Sequence, residues 1–443
     1  MLVAAGVSFP TPAADIAESP WQLNWPAWRG PLACGVAPTG NPPLKWSESS
    51  NVKWKVKIPG NGSATPVIWD DRVFVQTAIP TGRKVKPDAT SVSAMSIPHG
   101  EAPDEVLQFA VLCLDRATGK ILWQKILREE LPHEGILPGE GSYASSSPVT
   151  DGRHLFAYFG SRGLHCLDWD GNIKWEQDLG KLRIKKEFGE GSSPALFNGR
   201  LIVLCDQETN SFITAFDTET GKQLWRQPRD EATAWATPVV AQYGGGAQVI
   251  TDASSKIRSY DLDTGKMIWE GPALTPNAIP SPVVGDGVVY CMSGFKGNAC
   301  YAIKLGRTGD LKDSDAILWS LKKGTPYVPS PLLYGDHLFF LSNNSGLLSC
   351  VDVKTGRLLM NMERIEDLKT LYASPVGAAG RVYLVSRSGV TVVVKNSEQL
   401  QILATNKLDD GFDASPAIVG HEIFLRGHEY LYCLAESAPA DAK

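Results

Sequence analysis

The sequence predicts an all-β fold: an eight-bladed β-propeller of four-stranded antiparallel blades, its ring closed by an N-terminal strand that completes the last blade. Three observations carry this. A Ser/Thr-Pro dipeptide recurs at Pro66, Pro148, Pro194, Pro238, Pro282, Pro331, Pro375 and Pro416, at intervals of 41 to 49 residues after a first of 82. Each interval holds three short apolar stretches separated by Gly/Asp or Ser/Gly turns and then a fourth that follows a fixed motif, which is the content and period of a propeller blade. The motif is clearest at Ala215–Trp225, AFDTETGKQLW.

Taken in order, residues 1–19 have a short apolar run and small residues around Ala13 and Ala14 but no basic start. They read as the remnant of a secretory signal peptide, or else as a leader with no targeting role. Residues 20–45 are a strap carrying Trp21, Trp25 and Trp28, expected to dock on the side of the propeller, with ligand binding as the other reading. The propeller spans 46–436 and begins with NVKWKVKI, a single alternating strand around Trp54 that has no partner nearby. Blade 1 carries an insertion, about 79–105, which either binds or is without consequence. Blade 7 has VKNSEQLQIL in place of the motif, so its outer strand is less well specified. After Cys433 the chain lacks a final motif strand, and the orphan strand at Trp54 is expected to supply it and remove the open edge. Residues 437–443 are a tail.

The motif has a physical basis at each position. Copies end at Trp123, Trp175, Trp225, Trp269, Trp319 and, with Met for Trp, at Met360. The aspartates Asp115, Asp168, Asp217 and Asp261 can accept from turn amides, Gly221 supplies positive φ, and each Trp is expected to pack between blades. The repeated TGK is no phosphate loop, because it lacks the upstream Gly and the following Ser/Thr.

Composition excludes several functions. Net charge is −5, with 43 basic and 48 acidic residues, so no footprint for nucleic acid appears. No run of 18 apolar residues exists to span a membrane. The eight Cys have no CxxC, CxxCH or adjacent pair, and four of them (113, 166, 350 and 433) fill the Ala215 slot as small buried residues. No disulfide, catalytic residue or metal site is assigned. The pair His421 and His428 is seven residues apart along a strand, too far to share an ion.

Propeller geometry sorts loops by face. Second-to-third turns and blade-to-blade links share one face, the top, where the links meet the inner strands three residues before each marker Pro. That places Ser63, Ser145, Gly191, Trp235, Ile279, Val328, Tyr372 and Asp413 around the central channel. With Tyr143, Tyr327 and His133 in the same links, the top-face candidates are Trp235, Tyr372, Tyr327, Tyr143, Asp413 and His133. They either bind a flat ligand or extended peptide or simply plug the channel mouth.

The AxDxxTGKxxW pattern of Ala215–Trp225 resembles the tryptophan-docking motif of the pyrroloquinoline quinone (PQQ) propeller proteins, over roughly residues 46–436. That superfamily includes quinoprotein alcohol dehydrogenases and BamB-type outer-membrane assembly factors, and WPAWRGP looks like the start of exported PQQ-like repeat proteins. The dehydrogenases imply PQQ held under two adjacent disulfide-bonded Cys with Ca²⁺ on nearby carboxylates. None of these can be placed on this chain, which has no adjacent Cys pair. The BamB resemblance implies a periplasmic scaffold without a cofactor, and with the loop sorting above the expectation is a non-catalytic, periplasmic or secreted monomer that binds a protein or peptide through the top face. The alternative is a PQQ- and Ca-dependent oxidoreductase, or a small-molecule binder using the channel. If the leader carries no signal, the protein is cytoplasmic.

Overall fold

The computed structural model describes residues 19–86, 103–137 and 139–436. The leader except Ser19, most of the blade 1 insertion and the tail lie outside these. Eight sheets form a closed ring of antiparallel blades. Each runs from an inner strand at the channel to an outer strand at the rim, as in blade 3 with Ala195–Phe197, Arg200–Cys205, Phe212–Asp217 and Gln223–Pro228. The second and third strands are buried on both faces, whereas the outer strand buries mainly Trp225. Apolar runs in the middle of a blade and alternation at its edge follow from that placement.

Ring closure is as the sequence predicts. Val52–Lys57 pairs antiparallel with Tyr430–Leu434 and becomes the outer strand of blade 8. Trp54 then packs tilted against Phe424, with ring centroids 5.8 Å apart, in a core that joins blades 7, 8 and 1. Blade 7 has a complete outer strand, Ile402–Lys407, despite its missing motif. Blade 4 gains a fifth strand: the stretched turn before Trp319 sends Gly309–Asp310 back to pair in parallel with Trp269–Glu270.

The motif tryptophans join neighbouring blades. The indole N–H donors of Trp54, Trp123, Trp175, Trp225 and Trp319 each reach a carbonyl in the next blade's motif turn, at Arg116, Trp169, Thr218, Leu262 and Val353, all at 2.9 Å. The indoles lie on the turn glycines, and a Cβ on Gly221 would come within 2.5 Å of the Trp175 ring. Gly221 is thus required twice, by its φ of +69° and by this contact. Asp217 accepts from the amide and hydroxyl of Thr220, 2.8 and 2.6 Å away, and fixes the turn. Trp269 is the exception. The next turn is displaced by the added strand, so its N–H donates to Gln248 in its own blade, and the ring is fully buried there.

The Ser/Thr-Pro markers have a reason that spacing does not reveal. The amides of seven of the eight hydroxyl residues donate to the hydroxyl of the next blade: Thr65 to Ser147, Ser147 to Ser193, Ser193 to Thr237, Thr237 to Ser281, and on through Ser330, Ser374 and Ser415 at 2.7–2.9 Å. Thr65 closes the circle by donating its hydroxyl to the Ser415 carbonyl, 3.0 Å away. Inner strands are only two to five residues long, so this belt satisfies amides that no ladder reaches.

Candidate functional site

The two ends of the channel differ because the strap closes one of them. Rather than lying along the side of the ring, residues 20–45 cross its bottom. Trp25 exchanges backbone hydrogen bonds with Ile68 of blade 1, Pro26 accepts from Thr150 of blade 2, Ala37 donates to Gly377 of blade 7, and Asn41 donates to Gly420 of blade 8. At the centre Arg29 is buried and donates to the carbonyls of Cys34, Pro331 and Pro375 at 2.9–3.2 Å. Without a carboxylate beside it, burial pulls its guanidinium down to about 10. Trp28, next to it, borders both a bottom cavity of about 630 Å³ and a top cavity of about 460 Å³. It divides the two.

The top cavity is a funnel whose lining includes all eight positions that lie three residues before the marker prolines. On one wall the Trp235 indole donates to the Gly189 carbonyl at 2.7 Å and lies 6.3 Å from the Phe188 ring. Gly191 makes room for it, since a Cβ there would sit 3.1 Å from the indole edge. Tyr327 stacks on Phe295 at 4.8 Å. The opposite wall is charged. Asp413 is gripped by Arg387 at 2.6 Å and by His428 at 3.1 Å, and Tyr372 donates to Glu140 with the Arg387 guanidinium 4.2 Å over its ring. Burial alone would raise Asp413, but the hydrogen bonds from His428 and Arg387 outweigh it and hold the carboxyl below its ordinary range. The same bond to Asp413 raises His428.

Four of the six top-face candidates, Trp235, Tyr327, Tyr372 and Asp413, therefore line one cavity. Tyr143 and His133 do not. Tyr143 donates to the Glu134 carbonyl at 3.1 Å and faces the Arg162 guanidinium, 5.5 Å from its ring, in the adjoining region. His133 is turned to the Leu182 carbonyl, 2.7 Å away, and burial lowers its pKa. Both lie in a long link that folds outward from the channel before returning to it. Sequence reasoning missed Arg387, Glu140 and Glu190, and it placed His428 on the top face without its partner Asp413. The rule that puts second-to-third turns on top would have found Arg387, since Arg387 and His428 occupy those turns in blades 7 and 8. His428 has a carboxylate partner in Asp413, fifteen residues back.

Possible ion ligands gather elsewhere. Among the described residues one group of three, Asp151, His154 and Glu219, brings its ligand atoms within 4.8 Å of one another, on the bottom face. Arg153 already pairs with Glu219 there at 2.5 Å. All eight Cys are buried and unpaired.

Residues 108–361, more than half of the chain, match the model of a PQQ-repeat family described as outer membrane protein assembly factor BamB. The chain belongs to that family. No curated protein matches it. Among solved structures, this BamB-family chain is similar to BamB from Moraxella catarrhalis, at 13% identity and TM-score 0.55, over 88% of this chain and 98% of that one. It is also similar to quinohemoprotein alcohol dehydrogenase from Comamonas testosteroni, at 12% identity and TM-score 0.65, over 95% and 82% of the two chains. The dehydrogenase ADHIIG from Pseudomonas putida HK5 follows at 10% and 0.57, over 94% and 82%. At such identities the shared property is the fold. Among the described residues no helix of the BamB-family chain is long and apolar enough to cross a membrane.

Proposed function

We propose that this chain is a non-catalytic, exported, monomeric scaffold that holds an extended segment of a protein partner in its top-face funnel. The observation that carries the reading is the asymmetry of the channel: all eight blades contribute to an aromatic-walled funnel at the top, while the strap and Arg29 close the bottom. A segment entering from above meets a floor at Trp28 and walls at Trp235, Tyr327, Tyr372 and Asp413. Rigid aromatic anchors in a concave site are what a protein interface needs. Membership in a family described as an outer-membrane assembly factor is consistent with a periplasmic or secreted scaffold.

A second reading, a small-molecule binder in the same funnel, is favoured by its volume of about 460 Å³, a usual size for such sites. PQQ with Ca²⁺ fits the residues poorly. The funnel carboxylates Asp413, Glu140 and Glu190 are already bonded to Arg387, His428, Tyr372, Ser161 or Arg162, and no adjacent Cys pair exists to cover a quinone. PQQ is itself a tricarboxylate and would meet like charges on that wall.

The test is site-specific photocrosslinking in native cells, with benzoylphenylalanine replacing Tyr327 in the funnel or Asn198 in a bottom turn. A discrete adduct from the funnel position alone, lost on Trp235→Ala, is the expected result. Equal adducts from both positions, or adducts indifferent to Trp235→Ala, would refute the assignment.

A further inference from the structure

We infer that the funnel recognises a cationic side chain, lysine or arginine, on the partner segment. This rests on the reading of the funnel as the partner site and names the chemistry it selects. Five aromatic rings, Trp28, Phe188, Trp235, Tyr327 and Tyr372, take part in its lining. Three carboxylates, Glu140, Glu190 and Asp413, share that lining, and among the described residues no lysine or arginine does. The balancing guanidiniums stand behind the carboxylates: Arg387 contacts Asp413 at 2.6 Å, and Arg162, 5% exposed, contacts Glu190 at 3.0 Å. The cations at the rim are already engaged: Arg387 and His428 both bond Asp413, and Arg387 also reaches Glu140 and covers the Tyr372 ring, so a ligand entering the funnel meets the other aromatic rings and the remaining lone pairs of the carboxylates. Aromatic faces carry negative potential and attract ammonium or guanidinium groups most strongly where water is excluded. Walls on all sides of the funnel screen its carboxylates less than a flat surface would, which adds to their weight in the same direction. An acidic or phosphorylated segment would face three carboxylates, and the nearby cations Arg387 and His428 are already bonded to Asp413.

The carboxylates are also preorganised. Glu190 accepts from the Ser161 amide and hydroxyl at 2.6 and 2.7 Å as well as from Arg162, so its position does not depend on a ligand. Asp413 is fixed from two sides by Arg387 and His428. Little reorganisation is left to a bound cation, which favours affinity. Glu140, with its side chain 42% exposed near the mouth, is the first carboxylate an incoming side chain reaches.

The experiment uses the full chain and three probes: the peptide acetyl-Gly-Ser-Lys-Ser-Gly-amide, the same peptide with Nε-acetyl-lysine, and n-butylammonium chloride. Binding is read by calorimetry and by quenching of tryptophan fluorescence. The lysine peptide is expected to bind about tenfold or more tightly than its acetylated twin, the size of one desolvated cation–π and charge contact. Added salt, Trp235→Leu and Glu140→Gln should each weaken it several-fold and leave the acetylated peptide little changed. Glu140→Gln keeps an acceptor oxygen for Tyr372 on a partly exposed side chain, so it disturbs the wall less than Asp413→Asn, which releases both Arg387 and His428. A matched urea unfolding curve separates a loss of affinity from a loss of fold. Equal affinity for the two peptides, both sensitive to Trp235→Leu, would overturn the cation preference and leave the funnel as the peptide site. A response to n-butylammonium without binding of either peptide would uphold cation recognition and overturn the peptide reading. No response to any probe would overturn both.

Discussion

Replacing Gly221 by Ala tests whether motif glycines act by backbone conformation or by the ring that lies on them. Gly221 and Gly380 have nearly the same φ, +69° and +71°, but a Cβ on Gly221 would sit 2.5 Å from Trp175 while one on Gly380 would meet nothing within 4 Å. Both substitutions incur the left-handed cost of an L-residue, about 1–2 kcal/mol. Gly221→Ala must also push Trp175 off the turn. That loses the bond from the Trp175 indole to the Thr218 carbonyl, 2.9 Å long, a net loss of about 1 kcal/mol. It also strains a packed blade junction by about 1–3 kcal/mol. The sum is about 3–6 kcal/mol for Gly221→Ala against about 1–2 for Gly380→Ala. Urea unfolding followed by tryptophan fluorescence and far-ultraviolet circular dichroism measures both. A cycle with Trp175→Leu assigns the excess, which should vanish once the ring is absent. Equal losses within about 0.5 kcal/mol, or an excess that persists without Trp175, would refute the double role of Gly221.

Two further expectations concern a buried carboxyl and the closing strand. Asp252 is fully buried in blade 4 with no well-formed hydrogen bond to either carboxylate oxygen, and burial raises it to about 8, the Cys291 thiol and Met292 amide lying near enough to oppose this only in part. Its folded pKa lies above the unfolded one, so the parent should lose stability as pH rises from about 4 to about 8, by roughly 1.4 kcal/mol per unit, while Asp252→Asn lacks that slope. Parallel profiles of the two proteins in urea at pH 5, 6 and 7 would contradict this. Deleting residues 46–58 removes the outer strand of blade 8 and Trp54, and should abolish cooperative unfolding by exposing the edge at Tyr430–Leu434. A truncated protein that melts like the parent would sink this closure.

What was legible follows from which interactions are local. Blade count, strand order, the motif turn and ring closure could be read because a turn's Asp, Gly and Trp act within a dozen residues, and because the repeat interval fixes the period of a ring. The face rule extended this to the funnel rim: a residue's offset from its marker proline fixes its height in the channel whatever its type. Where a segment left the repeat, the offset carried no information. His133 and Tyr143 sit in such a link and turn away from the funnel.

The sequence by itself determined the eight-bladed ring and the set of positions facing its channel, since both follow from periodicity and backbone geometry. Only the tertiary structure decided how distant segments meet: that the strap seals the bottom through Arg29, hundreds of residues from Pro331 and Pro375. The same holds for the Ser/Thr belt, whose hydroxyls bond from blade to blade, and for Asp413, Arg387, His428 and Glu140, which separate loops bring to one wall. Such contacts depend on where a closed ring returns each loop. No local propensity records that position, so charge and hydrogen-bond partners at the funnel emerged only once the ring was closed.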